Sequence, residues 1–296
     1  MSLASASDNG HRREGPTGGA YRCVTPGMRA ILWVGVALVF VAGTSLYVLT
    51  EHTERYFAWT IKVPLSAAFL GAFYYTACVI AALSVRRREW ARARVGVPGV
   101  TVFLWLTMLA TLLHLDLFHL SSTVGTARGA AWAWLLIYIL DPIAIAILWI
   151  PQVREPGEDP PRTAPLPAWY RTVILVEGVL LVILGAVLFA APATAPHLWP
   201  WPLTPLTARM SAAWLVGLGI TLACAYGEND WDRIRPASAG LVALVVFQAP
   251  ALARFSDAVA WGTGSAWGFV VLLSLDLVLG VVGLAARVPA TDRMAG

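Results

Sequence analysis

Apolar residues recur along this chain in eight long stretches, and polar residues gather in the short segments between them. Each stretch is close to the roughly 20 residues that a helix needs to cross a bilayer. The pattern predicts an all-α, polytopic integral membrane protein with eight transmembrane helices. The predicted spans are residues 29–50, 64–84, 98–119, 130–150, 171–191, 208–226, 238–254 and 266–286.

The polar segments divide the chain into two groups of four helices. Residues 1–28 are rich in Ser, Gly and Arg without apolar periodicity, and they predict a disordered cytoplasmic tail. The Pro-rich segment 151–170 is the longest predicted inner loop and is typical of a linker. It separates a first four-helix unit, 29–150, from a second, 171–287. Residues 288–296 are predicted to be a cytoplasmic tail.

Charge is scarce, because 13% of the residues are charged and 58% are hydrophobic. A soluble domain has about 25% charged residues, so this composition excludes an ordinary soluble protein. A cytoplasmic N-terminus places 16 of the 21 lysines and arginines on the cytoplasmic side, as the positive-inside rule requires. We therefore expect a multi-pass protein of the cell (inner) membrane with both termini cytoplasmic.

Arginine supplies every basic residue except Lys62, which indicates GC-rich coding and a bacterial host. The net charge of +4 is small, and it predicts no nucleic-acid partner. The expected partner is the lipid bilayer, and a membrane-protein partner or a homo-oligomer is left open. The three cysteines lie far apart in the sequence and suggest neither a disulfide framework nor a zinc site.

The two four-helix units share rare residues in the same order. A shift of 141 positions places residues 64–67 on 205–208 and residues 89–94 on 230–235, while a shift of 135 places Asp141 on Asp276. Apolar sequences match easily by chance, so the argument rests on Trp, Asp, Arg and Pro. The register predicts a tandem duplication whose parallel repeats are related by a pseudo-twofold axis along the membrane normal.

Two repeated elements are expected at the membrane interfaces. Tryptophan precedes a helix start in each unit, and an acid–Trp–x–Arg–x–Arg pattern occurs at the predicted cytoplasmic helix ends. Such residues suit lipid headgroups or local ion pairs, and a ligand-binding rim or an anionic ligand site is the alternative. The predicted anchors are Trp59, Trp201, Trp90, Arg92, Arg94, Trp231, Arg233 and Arg235.

Asp141 and Asp276 are the sharpest candidates for a ligand or proton pathway. Both are predicted near the bilayer midplane, where an ionised aspartate costs several kcal/mol. The repeat axis makes them symmetry mates, which would let them approach one another and titrate as a coupled pair. Glu177 is a further acid within a predicted helix, and its counterpart in the first unit is Gly35. The alternative for each acid is a structural carboxyl group hydrogen-bonded to a neighbour.

A polar cluster is also predicted near the outer end of the third helix. Asp116 and His119 share a helical face there, whereas His114 points away from both. The spacing matches no metal motif, and no cofactor-binding or catalytic motif was recognised, so we predict no metal, no cofactor and no catalytic residue.

Three classes of function remain open from the sequence. A small-solute or ion transporter is favoured by the parallel repeats and the midplane acids. A non-catalytic scaffold or accessory subunit is favoured by the short loops. A membrane-embedded lipid or quinone enzyme would use His114, Asp116 and His119. Enzymatic activity is the least favoured of the three.

Overall fold

A computed structural model describes residues 20–287, so residues 1–19 of the predicted N-terminal tail and the predicted tail 288–296 lie outside the described range. Eight helices in that range are long and apolar enough to cross a membrane, which confirms the all-α prediction. They are α1 (Pro26–Tyr47), α2 (Pro64–Val85), α3 (Val97–Leu113), α4 (Gly125–Arg154), α5 (Ala168–Ala190), α6 (Pro205–Glu228), α7 (Trp231–Arg254) and α8 (Gly264–Ala285).

Short helical turns connect the long helices. The four-residue helix Trp90–Ala93 and the 3-10 turn Arg94–Gly96 lead directly into α3, so this span runs from Trp90 to Leu113. The others are Thr53–Tyr56, Leu115–Leu117, His119–Ser121, Pro192–Thr194, Ala195–Leu198 and Ser256–Ala258. Within the described residues, extended pairing is confined to isolated bridges.

Local sequence explains where several of these helices begin. Proline occupies the first turn of α1, α2 and α6, where its missing N–H needs no helical partner. Thr25, Thr204 and Thr263 cap α1, α6 and α8 through their side-chain oxygens. Asp230 accepts from two backbone N–H groups at the start of α7. This cap places the start of α7 seven residues before the predicted boundary at 238.

The helices form an inner and an outer set. α2, α3, α6 and α7 are the more buried, with 44–72% of their membrane-spanning residues enclosed, whereas the share is 17–33% for α1, α4, α5 and α8. The outer helices present large apolar side chains to the surroundings, as contact with lipid requires. This arrangement fits a multi-pass membrane protein. Which membrane holds it and which way it faces stay predictions.

Helix pairing follows the same scheme in both halves. α1 packs on α2 as α5 packs on α6, and α3 packs on α6 as α7 packs on α2. The Ala58 carbonyl accepts from the His119 N–H at 2.9 Å, and at the corresponding place the Pro200 carbonyl accepts from the Ala260 N–H at 2.8 Å. These paired contacts are consistent with a duplication, which stays a prediction.

The odd-numbered helices all begin at one end of the bundle, which we name the N-terminal face. The segment before α1 is anchored at this face. The Arg22 carbonyl accepts from the Trp90 N–H at 2.9 Å, and the Thr25 N–H donates to the Gln152 side chain at 2.8 Å. Residues 20–28 were predicted to belong to a disordered tail. In the structure, residues 22–25 are hydrogen-bonded to the bundle and residues 26–28 form the first turn of α1.

The Pro-rich linker is held on the same face. α4 extends to Arg154 and α5 begins at Ala168, so the irregular part is shorter than the predicted 151–170. The Asp230 carboxylate accepts from the backbone N–H groups of Thr163 and Ala164 at 2.8 and 3.0 Å. The linker is therefore hydrogen-bonded to the start of α7 at residues 163 and 164.

Candidate functional site

A partly open cavity of about 160 Å³ lies between the four helices of the first unit and α6 of the second. Its walls come from α1, α2, α3, α4 and α6, and they are mostly apolar. An apolar cavity of this size accommodates a ring the size of benzene, and its open side leaves room for a substituent on that ring. Among the described residues that line it, Asp141 carries the one carboxyl group.

Asp141 lies near the middle of α4 and is half-buried. Pro142 follows it and lacks an N–H, so the Tyr138 carbonyl loses its usual helical donor. Tyr138 interacts electrostatically with the Asp141 carboxyl group, but no hydrogen-bond donor from the described residues reaches that group. A carboxylate in this setting is electrostatically favourable for a positively charged or donating ligand.

Two tyrosine hydroxyl groups add a polar site on the same wall. Tyr74 on α2 and Tyr138 on α4 are buried, and their hydroxyl oxygens lie 2.5 Å apart. One hydroxyl donates to the other, so a single hydrogen bond joins them and the second O–H remains available. The cavity therefore offers a carboxylate acceptor and a hydroxyl donor close together.

Aromatic rings form much of the remaining wall. Phe103 and Trp214 stack with ring centroids 3.8 Å apart, and Trp134 lies 4.3 Å from Tyr138. The faces of such rings carry partial negative charge and attract cations. Together with Asp141, these rings give the cavity the chemistry of a site for an organic cation.

The other two predicted acids meet in the second half of the bundle. Glu177 on α5 and Asp276 on α8 are buried, and their carboxyl groups are neighbours. The expected meeting of Asp276 with Asp141 does not occur, since Glu177 is the acid that faces Asp276. Glu177 lies on α5 and Asp276 on α8, and these two helices also meet at the hydrogen bond that the Tyr170 hydroxyl donates to the Leu279 carbonyl.

The residues of the predicted outer polar cluster have different hydrogen-bond partners in the structure. His114 Nε2 accepts a hydrogen bond from Arg209 at 2.7 Å, whereas His119 Nδ1 donates to the Phe57 carbonyl at 3.0 Å. Asp116 is exposed. The part of the chain that the structure describes contains no group of three His, Cys, Asp or Glu side chains placed to hold a metal ion.

The contact between His114 and Arg209 makes stability depend on pH. The pKa of His114 lies below its ordinary value of 6.5, because burial and then Arg209 disfavour the charged ring, while Asp116 partly offsets them. The neutral ring accepts the hydrogen bond, so its stabilisation is complete above about pH 6.5 and is lost as the pH falls through the lowered pKa.

We expect the unfolding temperature to fall more between pH 7 and pH 5 in the wild type than in His114→Gln. Glutamine supplies a carbonyl acceptor for Arg209 and does not titrate. Thermal unfolding in detergent, followed by circular dichroism at both pH values, measures the difference. Equal losses in the two proteins would contradict this role for His114.

The two copies of the acid–Trp–Arg pattern meet at the N-terminal face. Arg92 pairs with Glu89 of its own copy and with Asp232 of the other, both at 2.8 Å. Arg87 also pairs with Asp232, at 3.3 Å. Arg235 donates to the Leu284 carbonyl. Acids within the protein thus pair with the predicted anchor Arg92.

Glu228 is the centre of a second group of ion pairs on this face. It accepts from Arg94 at 2.6 and 3.2 Å and from Arg233 at 2.9 Å. Asp159 of the linker pairs with Arg94 at 2.7 Å, and the Pro160 carbonyl accepts from Arg233. Glu228 and Asp159 lie outside the repeated pattern, so no sequence signal distinguishes them from the other charged residues.

The predicted tryptophan anchors are largely enclosed by protein. Trp59, Trp90 and Trp201 are buried and Trp231 is partly buried. Trp201 Nε1 donates to the Ser66 hydroxyl at 3.0 Å, which links the segment before α6 to α2. We therefore assign these indoles to packing within the protein.

Sequence reasoning missed the aromatic lining of the cavity. Tyr74 and Tyr138 lie 64 positions apart on separate helices, so no local pattern pairs them. One feature of the sequence could have pointed to the cavity. Gly35, which has no side chain, occupies the position in the first unit that corresponds to Glu177 in the second. The position of a Cβ on Gly35 has no other atom within 4 Å, and this open space belongs to the cavity.

Comparison with protein-family models, with curated proteins and with solved structures gives no match for this chain.

Proposed function

We propose that this protein binds a small organic cation with an apolar body in the cavity at Asp141 and carries it across the membrane. The observation behind the proposal is a single carboxyl group, without a hydrogen-bond donor from the described residues, in an apolar, aromatic-lined cavity. The proposal narrows the transporter interpretation from a general small solute to one class of solute.

The energetics of the site favour a cationic ligand. A carboxylate in a low-dielectric region is costly unless a positive charge or hydrogen-bond donors compensate it. An organic cation would supply that charge, and the rings of Phe103, Trp134 and Trp214 would contact its apolar body. The free O–H of the Tyr74–Tyr138 pair would remain to hydrogen-bond an acceptor group on the ligand.

Benzyltrimethylammonium is a suitable probe because its permanent charge prevents it from crossing lipid unaided. Benzyl alcohol is the neutral control with the same ring. We expect Asp141→Asn to weaken binding of the cation about tenfold or more, because opposite charges about 5 Å apart attract by roughly 3 kcal/mol at an effective dielectric constant of about 20. Binding of benzyl alcohol should change little. Titration of protein in nanodiscs measures both affinities.

A second variant tests the cavity itself. Gly35→Leu places a side chain in the cavity and should reduce binding of both probes. The matched control is Gly268→Leu, since Gly268 is also a helical glycine with open space at its Cβ but is exposed on α8. Equal binding by the wild type, Asp141→Asn and Gly35→Leu would show that the cavity is not the site.

Transport is measured separately, as uptake of benzyltrimethylammonium into liposomes that contain the protein. We expect uptake by the wild type and by Gly268→Leu, and a large reduction in Asp141→Asn. Binding without uptake by the wild type would leave a membrane-embedded binding protein and would contradict transport.

A further inference from the structure

The pair formed by Glu177 and Asp276 is enclosed within the second half of the bundle. The exposed fraction is 1% for Glu177 and 4% for Asp276. Their carboxyl groups lie next to each other, one on α5 and the other on α8. Nearby, the Tyr170 hydroxyl on α5 donates to the Leu279 carbonyl on α8 at 3.0 Å.

No outside donor compensates these acids. Both oxygens of Glu177 and Oδ1 of Asp276 are buried without a conventional hydrogen-bond partner among the described residues. No ion pair from a basic side chain in that range reaches either acid. Tyr170 is the one other titratable side chain that interacts with the pair from the described parts of the surrounding helices.

Two ionised carboxylates cannot remain in such a place at low cost. Each loses its hydration, and their like charges repel strongly in a low-dielectric interior. A carboxylate cannot donate, so the contact between the two groups becomes a hydrogen bond only when one of them carries a proton. A single shared proton gives a charge-assisted O–H···O bond and removes the repulsion.

We propose that Glu177 and Asp276 form a proton-binding site that holds one proton between two carboxyl groups and thereby joins α5 to α8. Loss of that proton would leave two negative charges in contact and weaken the link between the helices. This site does not depend on the proposed organic cation, because it lies apart from the cavity at Asp141.

The first half of the bundle provides a matched comparison for the chemistry. Asp141 corresponds to Asp276 and Gly35 corresponds to Glu177, so the second carboxyl group is missing there. A property that requires two acids should therefore be absent from the Asp141 site. Asp141→Asn removes a membrane-embedded acid without touching the pair, and it serves as the control variant.

Infrared spectroscopy of the full-length protein in lipid tests the proposal, since a protonated carboxyl group has a carbonyl stretching band that a carboxylate lacks. At pH 7.5 without added ligand, we expect the wild type and Asp141→Asn to show the band of one protonated carboxyl group. The double variant Glu177→Gln/Asp276→Asn should lose it. Size-exclusion chromatography and circular dichroism verify that each variant is folded.

A pH titration of the wild type supplies a measurement that needs no variant. The band should persist through neutral pH and disappear only in alkaline buffer. Choline chloride and sodium chloride buffers are compared, and the band should be the same in both. Absence of the band from the wild type at pH 7.5, or its loss when sodium replaces choline, would overturn the proposal. Retention by the folded double variant would do the same.

Discussion

Glu228→Ala is expected to lower the free energy of unfolding by about 3–5 kcal/mol, the usual cost of removing one partner from a buried ion pair. Glu228 is 8% exposed and Arg233 is 4% exposed, so water screens their interaction poorly. The substitution leaves Arg94 and Arg233 to share the one carboxylate of Asp159, which lies 2.7 Å from Arg94 and 4.0 Å from Arg233. Unfolding with a denaturing detergent, followed by circular dichroism, measures the loss.

Glu51→Ala is the matched control because it also removes one carboxylate from an ion pair with arginine. The Glu51 and Arg254 side chains are 57% and 53% exposed. An exposed pair of this kind contributes about 0–1 kcal/mol. Similar losses for the two alanine variants would show that the Glu228 group does not stabilise the fold in the way its burial implies.

Gly99→Val is expected to lower the free energy of unfolding by about 1–3 kcal/mol or more, since about 1–3 kcal/mol is the usual cost of overpacking. A Cβ on Gly99 would overlap the Gly217 carbonyl oxygen and the Thr221 hydroxyl group. The first of these atoms belongs to the backbone of α6 and cannot rotate away. The substitution must therefore push α3 from α6, two helices that also line the cavity.

Alanine variants separate this overlap from helix propensity. In a helix, Gly→Ala ordinarily adds up to about 1 kcal/mol of stability. Gly129→Ala should follow that rule, because the position of its Cβ has no other atom within 4 Å. Gly99→Ala should have the opposite sign in the same detergent titration. If both variants were stabilised, the close approach of α3 to α6 would be wrong.

The predicted spans and the observed helices differ mainly where charge lies next to a membrane helix. The segment 230–235 lies between the predicted spans 208–226 and 238–254, yet α7 begins at Trp231. Asp230 caps this helix and Glu228 pairs with Arg233, so the charges are compensated within the protein. A hydropathy pattern contains no information about such partners.

The positions of the candidate acids could be predicted from the sequence, but their surroundings could not. Asp141, Asp276 and Glu177 were identified from the sequence, because an acid in a long apolar stretch is unusual. Their environments were not identified, since those depend on which helices touch. Asp276 meets Glu177 through the contact of α5 with α8, whereas Asp141 faces a cavity built from five helices.

The sequence by itself determined the all-α class and the eight apolar helices of this protein. It could do so because a segment in lipid must satisfy its backbone hydrogen bonds internally, which makes each long apolar stretch a helix regardless of its neighbours. Only the tertiary structure decided that Asp141 lines a cavity, that Glu177 pairs with Asp276, and that Glu228 joins two arginines. These outcomes depend on how each helix is rotated and packed. Residues that are far apart in the sequence determine this rotation and packing together.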